Sequence, residues 1–136
     1  MDEMNREQDK IIREITALDQ WTEMYQYLIS LGRHLKMPPE MKVDENLISG
    51  CQSKLWLTSE FRDGRMHYYA DSDALITRGI LVLILRVLNN RKPEEIVNAD
   101  LYFMDKTGLS EHLSPVRSNG LSQVLVHIKE RAMRHA

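Results

Sequence analysis

Residues 54–70, KLWLTSEFRDGRMHYYA, decide the fold class. In an extended chain Leu55, Leu57 and Phe61 fall on one face, while Lys54, Trp56 and Thr58 fall on the other. That period of two belongs to a half-buried strand. Asp63-Gly64 follows it, and glycine reaches positive φ without a Cβ clash, so an Asp-Gly pair suits a tight hairpin turn. RMHYYA then resumes the extended pattern. The two runs predict an antiparallel hairpin with one face available for helices.

Working outward, residues 73–89, DALITRGILVLILRVLN, are apolar on almost every side. A short β-branched run fits a strand, but this length favours a central, buried helix, with Asp71 or Ser72 as its cap. Pro93 suits the first turn of a short helix over PEEIV, residues 93–97. In the terminal segment 114–136, Leu121, Val124, Leu125 and Ile128 form one stripe. Its helix starts at Ser114-Pro115 or at Ser118. Upstream of the hairpin, Asn5 with Gln8 resembles a capping box, and Ile11, Ile12, Ile15 and Leu18 follow at helical spacing. Asp19 is placed to cap a second helix, in which Trp21, Met24, Tyr25 and Leu28 form a core stripe and Gly32 marks the end. KMPPEMKVDEN, residues 36–46, breaks the helical pattern at its Pro-Pro pair. The order is helices, hairpin, helices. It predicts a single α+β domain over residues 1–136, a small antiparallel sheet with helices packed on one side.

Composition narrows the function. A chain of 136 residues buries a core without metal or disulfide staples, and its single cysteine cannot form an internal disulfide. The formal net charge of −2 argues against a general nucleic-acid binder, which needs a basic face. The densest cationic run, KERAMRH at 129–135, reads as a solvated helix end with cations near the C-terminal dipole. MDEMNREQDK has the wrong character for a targeting leader, and ILVLIL at 80–85 is too short to span a bilayer. The expectation is a cytoplasmic protein that uses neither membrane nor nucleic acid.

The one thiol lies in ENLISGCQSKLW, residues 45–56. Gly50 permits a tight, exposed turn before the first strand, which would leave Cys51 within a partner's reach. Free cysteine is also among the most buried residue types, so a structural role stays open. A hydrolytic nucleophile needs a histidine base, and His34, His67, His112, His127 and His135 share no local signature with Cys51. Iron–sulfur and zinc sites call for several closely spaced ligands, and no glycine-rich phosphate loop is present. Asp71 and Asp73 read as carboxylates at a helix N-terminus. What one thiol does unaided is exchange sulfur: it takes a sulfane sulfur as a persulfide and yields it to an acceptor thiol. A neighbouring thiol would resolve that persulfide to a disulfide and release the sulfur.

Three blocks carry a family resemblance. SGCQSKLW at 49–56 resembles the Gly-Cys-Gln-Ser-x-Val-Trp signature of the SufE/CsdE sulfur acceptors, with Leu55 in place of the usual valine. DSDALITRGILVLIL at 71–85 resembles that family's Asp-Ser-Asp-Ala helix start, followed by a basic residue, glycine and an apolar run. GLSEHLSPVRSNGL at 108–121 resembles its third block, which leads into the last helix. The resemblance implies a SufE/IscU-like α+β fold and a carrier rather than a stand-alone enzyme. Cys51 would accept persulfide sulfur from a SufS-type cysteine desulfurase, stimulate that enzyme, and pass sulfur to a SufB-containing scaffold that builds iron–sulfur clusters. No cofactor is bound, since pyridoxal phosphate belongs to the desulfurase, and a homodimer is compatible with the resemblance. By position, Gly50, Gln52, Ser53, Asp73, Arg78, His112 and Arg117 become support or docking residues. Each keeps a plainer reading: Gln52 and Ser53 stabilise the loop, Trp56 packs, Arg78 is a surface charge, and His112, Arg117 and Asn119 brace the last helix. A CsdE-like carrier serving another acceptor pathway is the nearest alternative. A non-carrying allosteric activator of a desulfurase is the rival from another class. Because an exposed persulfide is readily oxidised, a carrier is expected to tuck its thiol against apolar residues between encounters.

Overall fold

A computed structural model describes the backbone of residues 2–49, 53–112 and 115–136, together with their side chains except those at 2, 112 and 115–119. Two helices, α1 (Asp2–Thr16) and α2 (Trp21–Gly32), lead into two 3-10 turns, Pro39–Met41 and Asp44–Asn46. The hairpin follows as β1 (Leu55–Arg62) and β2 (Arg65–Ser72), then α3 (Leu75–Leu88), α4 (Pro93–Val97), α5 (Phe103–Lys106), α6 (Leu109–His112) and α7 (Pro115–Met133). The fold class is α+β, as expected. Among the described residues no helix is long and apolar enough to cross a membrane.

The hairpin forms where its turn chemistry demands. Asp63 at φ 53° and Gly64 at φ 76° make a two-residue connection, and Arg62 pairs with Arg65 beside it. The register runs from there to Leu55 opposite Ser72. Leu55, Leu57, Met66, Tyr68 and Ala70 are buried in the core with α3 and α7. Phe61 shares their face, yet the strand has run past the core by that point. Its ring is left half-exposed and stacks on His135 with centroids 4.4 Å apart. At the other edge, Met66 exchanges backbone hydrogen bonds with Asn90 and Arg91, and Asn89 Oδ1 accepts from Tyr68 N at 2.8 Å.

α3 is the central element, packed against α1, α2 and β2. Ile80, Leu81, Leu83, Ile84, Val87 and Leu88 are fully buried on it. Gly79 lets α2 approach closely: a Cβ there would stand 2.1 Å from Leu28 O. α7 begins at Pro115, the first of the two expected starts, and packs on α4 and β1.

Several local expectations are corrected. Asn5 lies inside α1, and Gln8 is no cap. The buried Gln8 carboxamide instead donates to Asp100 O at 3.0 Å and accepts from Phe103 N at 3.1 Å. A side chain with a donor and an acceptor satisfies two backbone groups of the connection between α4 and α5. α2 starts after Gln20, without a side-chain cap from Asp19. α3 starts after Ala74, because Asp71 and Ser72 are still paired in β2. The basic end of α7 is only partly a solvated face: Lys129 Nζ donates to Ala99 O at 2.7 Å and Arg131 Nη1 to Ser59 Oγ at 3.3 Å.

Candidate functional site

Gly50, Cys51 and Gln52 lie outside the described residues, and with them the expected sheltering of the thiol. What the structure describes is the pair of chain segments that leads into and out of them. On the incoming side Ile48 N donates to Leu55 O at 2.8 Å, and Leu47 forms an antiparallel bridge with Trp56. Ile48 is itself buried in the core. On the outgoing side Lys54 is held across the hairpin mouth. Its N–H donates to Asp73 Oδ1 at 3.1 Å, and its carbonyl accepts from Asp73 N at 3.2 Å and from Ser72 Oγ at 2.8 Å. Both legs are therefore pinned to the same end of the sheet, while Ser49 and Ser53 between them are exposed.

Beneath the two legs sits a charged cluster that sequence reasoning missed. Asp71, opposite Trp56 in the hairpin, is 3 % exposed. Lys42 Nζ lies 2.6 Å from its Oδ2 and Arg78 Nε 3.1 Å from its Oδ1, and Ser72 N donates to Oδ1 at 2.7 Å. A carboxylate removed from water needs such partners, since burying it alone costs several kcal/mol. The two cations are not equivalent. The Arg78 Nε–H is buried and lacks hydrogen-bond alignment despite its closeness to the carboxylate. Arg78 Nη2 instead reaches Leu35 O at 3.3 Å. Lys42 makes the short contact, and its ammonium also lies 5.8 Å from the centroid of the Trp56 ring, a cation–π arrangement.

Of the sequence-derived site residues, Ser53 and Asp73 are thus brought to one place, and Arg78 joins them from below through Asp71. Asp73 supports Lys54 and Asp71 binds two cations, so neither is merely a helix N-terminal carboxylate. Arg78 is a strut from α3 to the exit of α2 and the end of β2, which replaces the surface-charge reading. Trp56 is half-buried, with the Lys42 ammonium against its ring. The side chains of His112, Arg117 and Asn119 lie outside the described residues, so their part in bracing the last helix does too. Asp71 reads in the sequence as a helix-start carboxylate, because the stretch ADSD has an adequate local explanation as a helix start, and its cation partners lie elsewhere in the chain. Lys42 escaped because PPEMK carries no periodicity that would place it.

Taken together, these features define a small α+β domain that carries its only cysteine in a short segment between two pinned legs at a sheet end. The chain belongs to the SufE family, whose Fe-S metabolism associated domain matches residues 9–132. It is 37% identical over 130 residues to an uncharacterised SufE-like protein of Rhizobium meliloti, covering 91% of this chain and 93% of that one. Its fold matches the solution structure of a hypothetical protein from Thermus thermophilus with a TM-score of 0.77, at 18% identity and over 95% of each chain. Family membership places the chain in iron–sulfur metabolism.

Proposed function

We propose that this protein is a sulfur carrier that accepts a persulfide sulfur on Cys51 from a cysteine desulfurase of the SufS type. The observation that carries this reading is the place of the single cysteine, in the family's Gly-Cys-Gln-Ser motif between legs tied to the sheet end. The transfer is an exchange with no net redox change. The Cys51 thiol loses its proton, and the thiolate attacks the outer sulfur of the donor's persulfide. A sulfur–sulfur bond forms on Cys51 as the donor's breaks, and the donor cysteine leaves as a thiolate that takes up the proton. Pyridoxal phosphate remains with the donor enzyme. The sulfur then passes to a SufB-containing scaffold by the same kind of exchange. The pinned legs support the reading physically: a segment held at both ends loses less conformational freedom when it docks in a partner's active site.

Incubation of the chain with a SufS-type desulfurase and L-cysteine is expected to add the mass of one sulfur atom to Cys51, removable by a thiol reductant. Cys51→Ser gains no mass and fails to stimulate cysteine turnover. A serine variant that takes up sulfur overturns the site. A serine variant that stimulates the desulfurase as well as the native chain does makes the protein an activator rather than a carrier.

A further inference from the structure

We infer that Lys42, Asp71 and Arg78 form a positioning cluster that sets the geometry of the two legs flanking Cys51, with Lys42 as its adjustable member. The inference rests on the carrier reading for its consequence in sulfur transfer, and on the structure alone for its effect on the legs. Asp71 stands at the end of β2, directly across from Trp56 on the outgoing leg. Lys42 stands in the chain between the two 3-10 turns that leads to the incoming leg. Their 2.6 Å contact spans the two, and the Lys42 ammonium over the Trp56 ring adds a second tie to the outgoing leg. Trp56 in turn bridges to Leu47, so one cation, one carboxylate and one indole close a ring around the base of the Cys51 segment.

The third member connects that ring to the core. Arg78 is on α3 one residue before the close crossing of Gly79 with α2, and it also holds Leu35 O at the exit of α2. It cannot shift far without moving two packed helices. Lys42 is different, with about a third of its side chain exposed on a segment that lacks a buried residue from Pro38 to Leu47. Losing the Lys42 contact therefore frees the incoming leg while leaving the Arg78 side of the cluster in place. Asp71 acts through these neighbours, which makes it a positioning residue. A leg that samples several geometries lowers the fraction of molecules ready to dock, and the apparent affinity falls by that fraction. Sulfur transfer from the docked state is unaffected.

The test compares native protein with Lys42→Met, which keeps an unbranched apolar stem on Trp56, and with Lys42→Arg, which restores the charge. Amide hydrogen exchange at Ile48 and Lys54 is expected to speed up about tenfold in Lys42→Met, while Met66 at the far end of the hairpin is unchanged. With the desulfurase present, the KM for the carrier is expected to rise about tenfold with kcat within about twofold. Lys42→Arg returns both quantities to near native values. Asp71→Asn, which keeps an acceptor for Ser72 N, reproduces the Lys42→Met pattern. Unchanged exchange at Ile48 and Lys54 overturns the inference, as does a rise at Met66 equal to that at Ile48, which would mean general destabilisation. A lowered kcat at native KM also overturns it. If the native chain itself accepts no sulfur, the carrier reading fails while the exchange measurements still decide whether the cluster sets the legs.

Discussion

Tyr68 illustrates how one side chain links layers of this molecule. It is buried on the core face of β2, and its hydroxyl donates to Ile128 O on α7 at 2.7 Å. Burial pushes its phenol well above the usual range, since the phenolate would lose its hydration. The folded pKa is raised, so this contribution to stability is complete below the unfolded value of roughly 10 and is lost as pH rises through it toward the folded one. Tyr68→Phe is expected to cost about 1 kcal/mol near neutrality, the net worth of one hydrogen bond. Tyr27 and Tyr102 are also shifted upward, both first by burial and then by neighbouring carboxylates. The check is therefore the difference between native and variant urea midpoints from pH 7 to 11, which should narrow above pH 10. A difference that stays constant would rule out the buried-phenol account. Gln8 makes the complementary point: in the sequence it looked like a cap, because its two partners lie at Asp100 and Phe103, far along the chain.

Among the elements, two glycines separate two kinds of constraint. Gly79 lies at the α2–α3 crossing, where an added Cβ would meet Leu28 O at 2.1 Å and Leu28 C at 2.6 Å, both backbone atoms. Gly79→Ala is expected to lose about 3 kcal/mol or more, because the helices must part, and that outweighs the roughly 1 kcal/mol of helix propensity that alanine adds. Gly64 has open space around it but sits at φ 76°. Gly64→Ala should therefore cost only about 1–2 kcal/mol, the penalty of a left-handed backbone with a Cβ. Equilibrium denaturation of the two variants tests the order, and equal losses would contradict it. The hairpin was legible because its alternation and its Asp-Gly turn are local. The α3 start was not, because Asp71 and Ser72 satisfy strand pairing and a buried ion cluster before they are available to a helix. The short α5 and α6 were likewise missed; at four residues each they are too brief to show a period.

Across the whole molecule, long-range ion pairs tie α1 to the central helix and the chain beyond it. Arg86 of α3 contacts Glu7 at 3.2 Å and Glu14 at 3.0 Å, and Arg91 contacts Glu3 at 2.7 Å. Burial alone would raise the Glu14 carboxyl, but the Arg86 hydrogen bond and charge outweigh it and hold the group below its usual range. That lowered folded pKa stabilises the protein above the unfolded value of roughly 4.3, and the contribution disappears as pH falls through the folded value. Arg86→Met is expected to lose about 1 kcal/mol at pH 7, given that these groups are partly solvated. The loss should shrink as the carboxylates are protonated in acid, which thermal melts at pH 7 and pH 3 would show. A loss of the same size at both values would mean that Arg86 acts through packing alone.

By itself the sequence determined the order of the longer elements, the hairpin and its turn, the buried central helix, and the segment that holds the only thiol. These follow from periodicity, turn stereochemistry and motif identity, which operate over a few residues at a time. Only the tertiary structure decided that Lys42 and Arg78 meet at Asp71, that Asp73 supports Lys54, and that Gln8 closes the α4–α5 connection. The reason is burial. A polar group withdrawn from water must find its partner wherever the packed chain brings one, and no local pattern records which distant residue that is.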